Sequence, residues 1–194
     1  MGFWNDTKKL EPKRKFRWYL EIASLGEEAF WMAKSVEKPS WTMTEHPHKF
    51  INHTFHYPGR VEWQPINITL VDVADPIDMG ASFLKILRSG GYNFPTDLAA
   101  GSQTVTKQKA TNALGGMVNI RQIGGSNTDV LDCWTLVNPF VTDVKTGELD
   151  YESEDIVEVS VTIVYDFAYL SQSGGKTGMH GASDIPAPIK SSHD

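Results

Sequence analysis

Four imidazoles fall within eleven residues: His46, His48, His53 and His56. Imidazole is the usual protein ligand for zinc, copper or nickel. Their spacing matches no closed structural zinc site, and Cys133 is the only cysteine in the chain, so thiolate partners are absent. His53 and His56 share a face only if that segment is helical. A second group is acidic: Glu148, Asp150, Glu152 and Glu154. Carboxylate oxygens suit calcium, but the run lacks the Asp, Asn and Gly order of an EF-hand loop. "LRSGGYN" and "GGSN" are glycine-rich without the Lys-Ser/Thr of a phosphate-cradling loop. Neither a G-x-S-x-G elbow nor an H-E-x-x-H pair occurs. The residues therefore point to no enzyme, no cofactor and no metal. The plain reading is a polar, aromatic interaction loop at the histidines and a solvated negative face at the acids.

Composition narrows the class further. Hydrophobic residues are 40% of the chain and charged residues 22%, which is a globular balance. The formal net charge of −6 argues against a phosphate-backbone binder. Basic residues do cluster at Lys8, Lys9, Lys13, Arg14, Lys15 and Arg17, with only Phe16 and Trp18 beside them for stacking. That cluster reads as a solvated arm rather than a nucleic-acid grip. Cys133 sits inside the apolar run "VLDCWTLV" and reads as a small buried hydrophobe. The start, "MGFWNDTKKLEPKRK", lacks the apolar region of a signal peptide, and no run reaches transmembrane length. Together these predict a protein made and kept in the cytosol, or assembled there.

Strands dominate the pattern. Residues 16–24, "FRWYLEIAS", alternate, and "FWMAKSVEK" reads as the returning strand of a hairpin. Residues 43–60 form an excursion from the barrel or sheet. "VEWQPINITLVDV" resumes strand character but changes phase at Pro65, which predicts a bulge or a break there. One helix is expected, with Asp75 as N-cap, Pro76 at its first position and Ile77, Phe83, Leu84 and Leu87 as its apolar stripe. Residues 92–115 read as an extended loop. "MVNIRQI", "GGSN" and "VLDCWTLV" read as strand, turn and strand. The predicted organisation is an arm at 1–15, a domain at 16–170 and a mobile tail at 171–194. The predicted fold is mainly β: an antiparallel β-barrel or two packed sheets, with one flanking α-helix and extended loops.

The final strand poses a question of length. From 157 to 170, Val157, Val159, Val161, Ile163, Tyr165, Phe167 and Tyr169 share one parity, against Glu158, Ser160, Thr162 and Asp166. Read as one strand, this spans roughly 46 Å. A compact chain of this size is roughly 42 Å across.

The ordered set "FRWYLEI", "PGR", "VEWQPINITLVD", a helix, "CWTLVNPFVTDV" and "LDYESEDIVEVSVTIVYDFAY" resembles the tail tube proteins of contractile-tailed bacteriophages. That T-even-like family is similar in fold to the hemolysin-coregulated tube protein of type VI secretion. The resemblance covers roughly residues 16–170. It implies a structural subunit that closes into hexameric rings, which stack into a tube conducting DNA at ejection. It implies a phage virion tail assembled in the host cytoplasm. It also implies sheath, baseplate or initiator, and tape-measure proteins as partners, DNA as non-specific cargo, and no membrane. A strand too long for its own domain would then serve an inner wall shared with neighbours, where closure removes the edges. Glu158, Ser160, Thr162 and Asp166 would face that channel. Phe50, His53, Phe55, His56 and Tyr57 would order against a neighbouring subunit. The alternatives are a tube-initiator or baseplate adaptor, an injection-system tube subunit, or, in another class, a small-molecule- or metal-binding β-barrel or enzyme centred on the 46–56 histidine loop.

Overall fold

Alternating burial builds the core. A computed structural model describes residues 13–26, 32–75, 77–96, 104–125 and 130–172. Among these residues, ten strands, β1 to β10, and two helices, α1 and α2, follow in the order β1 (Trp18–Ile22), β2 (Ala33–Val36), β3 (Trp41–Phe50), β4 (His53–Trp63), β5 (Ile66–Val71), α1 (Met79–Ser89), α2 (Lys107–Ala113), β6 (Met117–Ile123), β7 (Val130–Val137), β8 (Phe140–Lys145), β9 (Glu158–Val164) and β10 (Phe167–Gln172). Two four-stranded antiparallel sheets form, ordered β1-β6-β7-β10 and β2-β5-β9-β8, with β3 and β4 as a separate ribbon. No ladder joins the two sheets into a closed barrel among the described residues.

Each sheet turns one parity inward. Leu20, Ile22, Val118, Ile120, Leu136 and Ala168 come from the first sheet, and Ile66, Ile68, Leu70, Val159, Val161 and Ile163 from the second. The β-branched residues among them pack well on a pleated, half-buried surface. Met79, Phe83 and Ile86 of α1 join the same cluster, with Val141 and Val144 of β8 partly buried against it.

Several sequence expectations are corrected. β1 and β2 are not a hairpin: β1 pairs with β6 and β2 with β5, so the turn between them passes from one sheet to the other. The helix starts at Met79, because the Asp78 carboxylate, not that of Asp75, accepts from the Ala81 N–H at 2.8 Å. Pro76 lies outside the described residues. Leu84 and Leu87 of the expected stripe are exposed, and Met79 and Ile86 take the buried positions beside Phe83. Within 92–115 lies α2, whose Thr106 N-cap accepts from Lys109. It was hidden because its seven residues, "KQKATNA", carry no apolar stripe. The phase change at Pro65 is a break: β4 ends at Trp63 and β5 opens at Ile66 in a different sheet. The expected "GGSN" turn at 124–127 is described only at Gly124 and Gly125, but its flanking strands pair as a hairpin.

The largest correction concerns 157–170. It is two strands in two sheets, not one. β9 pairs with β5 and β8, and β10 pairs with β7. Tyr165 and Asp166 carry the chain across, and parity inverts at the crossing. Val159, Val161, Ile163 and Tyr165 are buried, whereas beyond the corner Ala168 is buried and Phe167 exposed. The alternation that simulated a single strand is two half-length patterns placed end to end.

Candidate assembly surfaces

The segment 43–60 is a regular two-stranded ribbon rather than an irregular loop. β3 and β4 pair from Trp41↔Trp63 to Phe50↔His53. The ladder shifts between Met43 and Glu45, where the Thr44 hydroxyl accepts from the Arg60 N–H at 2.9 Å. Ten residues at about 3.3 Å each carry the ribbon roughly 33 Å. Every residue of β3 is exposed. Alternation places His46, His48 and Phe50 on one face. Register puts Tyr57, Phe55 and His53 opposite them. The His53 and Phe55 rings meet edge to face at 4.6 Å. His56 lies on the other face, its Nδ1 3.3 Å from Glu45 Oε2. Among the described residues no group of three or more His, Cys, Asp or Glu is placed to hold a metal. Of the expected inter-subunit residues, Phe50, His53, Phe55 and Tyr57 therefore share one face, and His56 does not.

At the ribbon's root, Trp41 packs on Trp63 at 5.3 Å and Trp63 on Tyr165 at 6.0 Å. Gln64 N–H donates to the Ser40 carbonyl at 2.9 Å. Burial pushes the Tyr165 hydroxyl above its ordinary pKa; the nearby Ser40 backbone opposes this without reaching hydrogen-bonding geometry. Ile51 at the tip, 85% exposed with φ at 53°, holds a left-handed conformation unusual for a β-branched residue. Of the root residues, the sequence pattern read Val61 as strand but did not mark Trp41 and Met43. Their alternation was present, but no amphipathic contrast marked it.

The four expected channel residues divide. Glu158, Ser160 and Thr162 lie on the outward face of the second sheet, beside Asn67 and Thr69. Thr162 Oγ1 donates to Asn67 Oδ1 at 2.9 Å, and Lys34 pairs with Glu158. Asp166 belongs to the corner instead. Its N–H donates to the Val137 carbonyl at 3.1 Å. Its carboxylate accepts from Asn138 Nδ2 at 2.9 Å and from Lys107 Nζ at 2.7 Å. Asn138, with φ at 53°, turns the chain from β7 to β8, a left-handed position that Asn tolerates. One carboxylate thus ties two of the sheet crossings, β7 to β8 and β9 to β10, to the start of α2. Burial alone would raise its pKa, but the hydrogen bonds from Lys107 and Asn138 and the Lys107 charge outweigh it and hold it below its ordinary value.

The outward face of the first sheet differs in character. It carries Tyr19, Met117, Phe167 and Tyr169 around a polar line of Glu21, Asn119, Arg121 and Thr135. Thr135 Oγ1 donates to Asn119 Oδ1 at 2.8 Å, and Arg121 pairs with Glu21 at 2.9 Å. Burial works to lower the Arg121 pKa, but the Glu21 charge prevails and raises it.

No protein-family model matches the chain, and no curated protein matches it in sequence. Solved structures do match in fold. The tube terminating cap of the anti-feeding prophage superposes with a TM-score of 0.63 at 14% identity, covering 88% of this chain and 98% of that one. The sheath/tube terminator of an extracellular contractile injection system, PVC, in its extended state gives 0.60 at 15% identity, covering 83% and 97%. The sheath-tube complex of the same system gives 0.59 at 17% identity, covering 84% and 94%. The chain therefore has the fold of the tube proteins of contractile injection systems, as the motif order implied.

Proposed function

We propose that the protein is a structural, non-catalytic subunit of a contractile phage tail tube, closing into hexameric rings that stack around a channel for DNA. The observation that carries this reading is the ribbon. An isolated two-stranded hairpin is marginal in water. Here it holds a row of exposed Phe50, Phe55, Tyr57 and Ile51 away from the core. Apolar side chains gathered in this way mark an interaction surface, and a neighbouring subunit supplies the missing layer. The tube-like fold agrees with that role.

The second sheet's outward face lines the channel in this reading. Ser160, Thr162, Thr69 and Asn67 give it hydroxyl and amide groups, and its acid Glu158 is held by Lys34. Such a wall offers a passing polyanion little to grip. Asp166 is not part of it. The partners are further copies of the chain, sheath, baseplate and tape-measure proteins, in a virion tail assembled in the host cytoplasm.

Capping a tube end is the second reading, because a terminator and a terminating cap share the fold. Negative-stain microscopy and light scattering over a wide concentration range separate the outcomes. Stacked rings support a tube subunit and single rings a cap. A monomer at every concentration overturns both.

A further inference from the structure

Asp132 of β7 faces inward at one end of the first sheet, beside its cross-strand partner Gln122, and both are buried. The Asp132 side chain is 3% exposed. Its Oδ2 accepts from Lys13 Nζ and lies 3.8 Å from Lys38 Nζ. Its Oδ1 is buried without a partner. Lys38 donates to Gln122 Oε1 at 2.6 Å, and Gln122 Nε2 donates to the Arg14 carbonyl at 3.1 Å. Arg17 fastens the same segment again, its guanidinium donating to the Gly124 and Gly125 carbonyls. The turn that folds this segment back is closed by one long hydrogen bond, Arg17 N–H to Arg14 carbonyl at 3.4 Å. Two lysines from separate parts of the chain, both about half exposed, thus converge on one buried carboxylate. One cation is enough to compensate it. A second is useful if the first leaves, since a buried carboxylate stripped of its last partner is strongly destabilising.

We propose that residues 13–17 form a releasable strap, with Asp132 as its catch and Lys38 as the cation that takes over when Lys13 departs. In the closed state Lys13 holds the carboxylate and Lys38 rests on Gln122. In the open state Lys38 Nζ moves by about 1 Å to reach charge-assisted hydrogen-bonding distance. Its flexible four-carbon stem makes that move without the backbone. Opening frees Lys13, Arg14 and Lys15, with the exposed Phe16, to reach beyond their own subunit. It leaves no buried charge uncompensated.

Trypsin, which cuts after Lys13, Arg14 and Lys15, reads the open state. Lys38 precedes Pro39, so replacing it removes no efficient tryptic site. In the strap arrangement Lys38→Met costs the closed state a hydrogen bond to Gln122 but costs the open state the only cation left on Asp132, the larger loss, and cleavage within 13–17 slows several-fold. A Lys38 that merely supports the fold gives the opposite sign, faster cleavage, and that result overturns the proposal. Thermal unfolding supplies the independent arm. Lys13→Met alone lowers Tm slightly, because Lys38 covers the carboxylate. Lys13→Met with Lys38→Met lowers Tm by much more than the two single losses combined, or prevents folding, and adding Asp132→Asn restores it. Additive losses, or no rescue by Asp132→Asn, overturn the proposal. Neither readout depends on ring or tube formation, so the strap and the tube reading fail separately.

Discussion

The second sheet and the β3–β4 ribbon are built from similar alternating sequence, and they differ in what covers them. Along β5 and β9, every apolar position of one parity meets the first sheet and is lost to solvent. Along β3, neither parity is covered. Residue type makes a strand possible in both places, but only a second layer turns a strand into a core. The ribbon is a strand pair that no second layer covers among the described residues.

Breaking the ribbon tests this most severely. Removing residues 47–58 and closing the ribbon with a short turn leaves a folded subunit with its unfolding transition near that of the wild type, and abolishes stacking. Light scattering and microscopy measure the loss; normal tubes from this variant would show that the ribbon is not the interface. Single truncations come next. Leu70→Ala or Ile163→Ala costs about 2–5 kcal/mol in denaturant unfolding, as for any large side chain removed from a packed core. Phe50→Ala or Phe55→Ala costs the isolated subunit within about 0.5 kcal/mol, as exposed positions do, while weakening assembly. Equal losses at core and ribbon would erase the contrast.

The corner sharpens the comparison at smaller scale. Asp166→Asn removes a charged acceptor shared by Lys107 and Asn138 and costs about 1 kcal/mol at neutral pH. Because the folded-state pKa of Asp166 is depressed, its contribution is present above its ordinary value of 3.8 and disappears as pH falls through the lower folded value. The stability gap between wild type and Asp166→Asn therefore closes below about pH 3.8, and a gap that widens in acid would contradict the assignment. The smallest effect is expected at Glu158→Lys. An exposed ion pair is worth about 0–1 kcal/mol, so folding barely changes. If Glu158 faces the channel, particles carrying the substitution eject DNA slowly at low salt and recover at high salt, as screening weakens the attraction. Unchanged ejection at low salt removes Glu158 from the wall.

What was legible in the sequence follows from the range of the forces involved. The alternation of 157–163 and 66–70 is local, and it gave the inward faces of β9 and β5 directly. Where β9 ends is not local. Tyr165 and Asp166 continue the alternation, and only the long-range ladders, β9 with β5 and β8 and β10 with β7, show that the chain has changed sheets. The β1–β2 misreading has the same origin, since "LGEEA" looks like a hairpin turn whichever sheet receives the next strand. For the candidate surface, the aromatic and histidine content marked the segment that forms the ribbon. Its regularity was hidden by Pro47, Pro58 and Gly59, residues that argue against a strand unless no neighbouring strand needs their missing donors. Lys13, placed with a solvated basic arm, in fact holds Asp132, a partner 119 residues away that no short window contains.

Two short crossings between the sheets, β7 to β8 and β9 to β10, lie side by side at the Asp166 corner, while on the opposite border β1 and β2 touch without a hydrogen-bonded ladder among the described residues. The sandwich is therefore bound tightly along one margin, like the spine of a book, and joined along the other by the longer β1–β2 connection alone. Its slowest-exchanging amides belong beside the spine, in β7 and β9, and its fastest sheet amides in β1 and β2. Thermal breathing should open the interior from the leaf edge long before the spine yields.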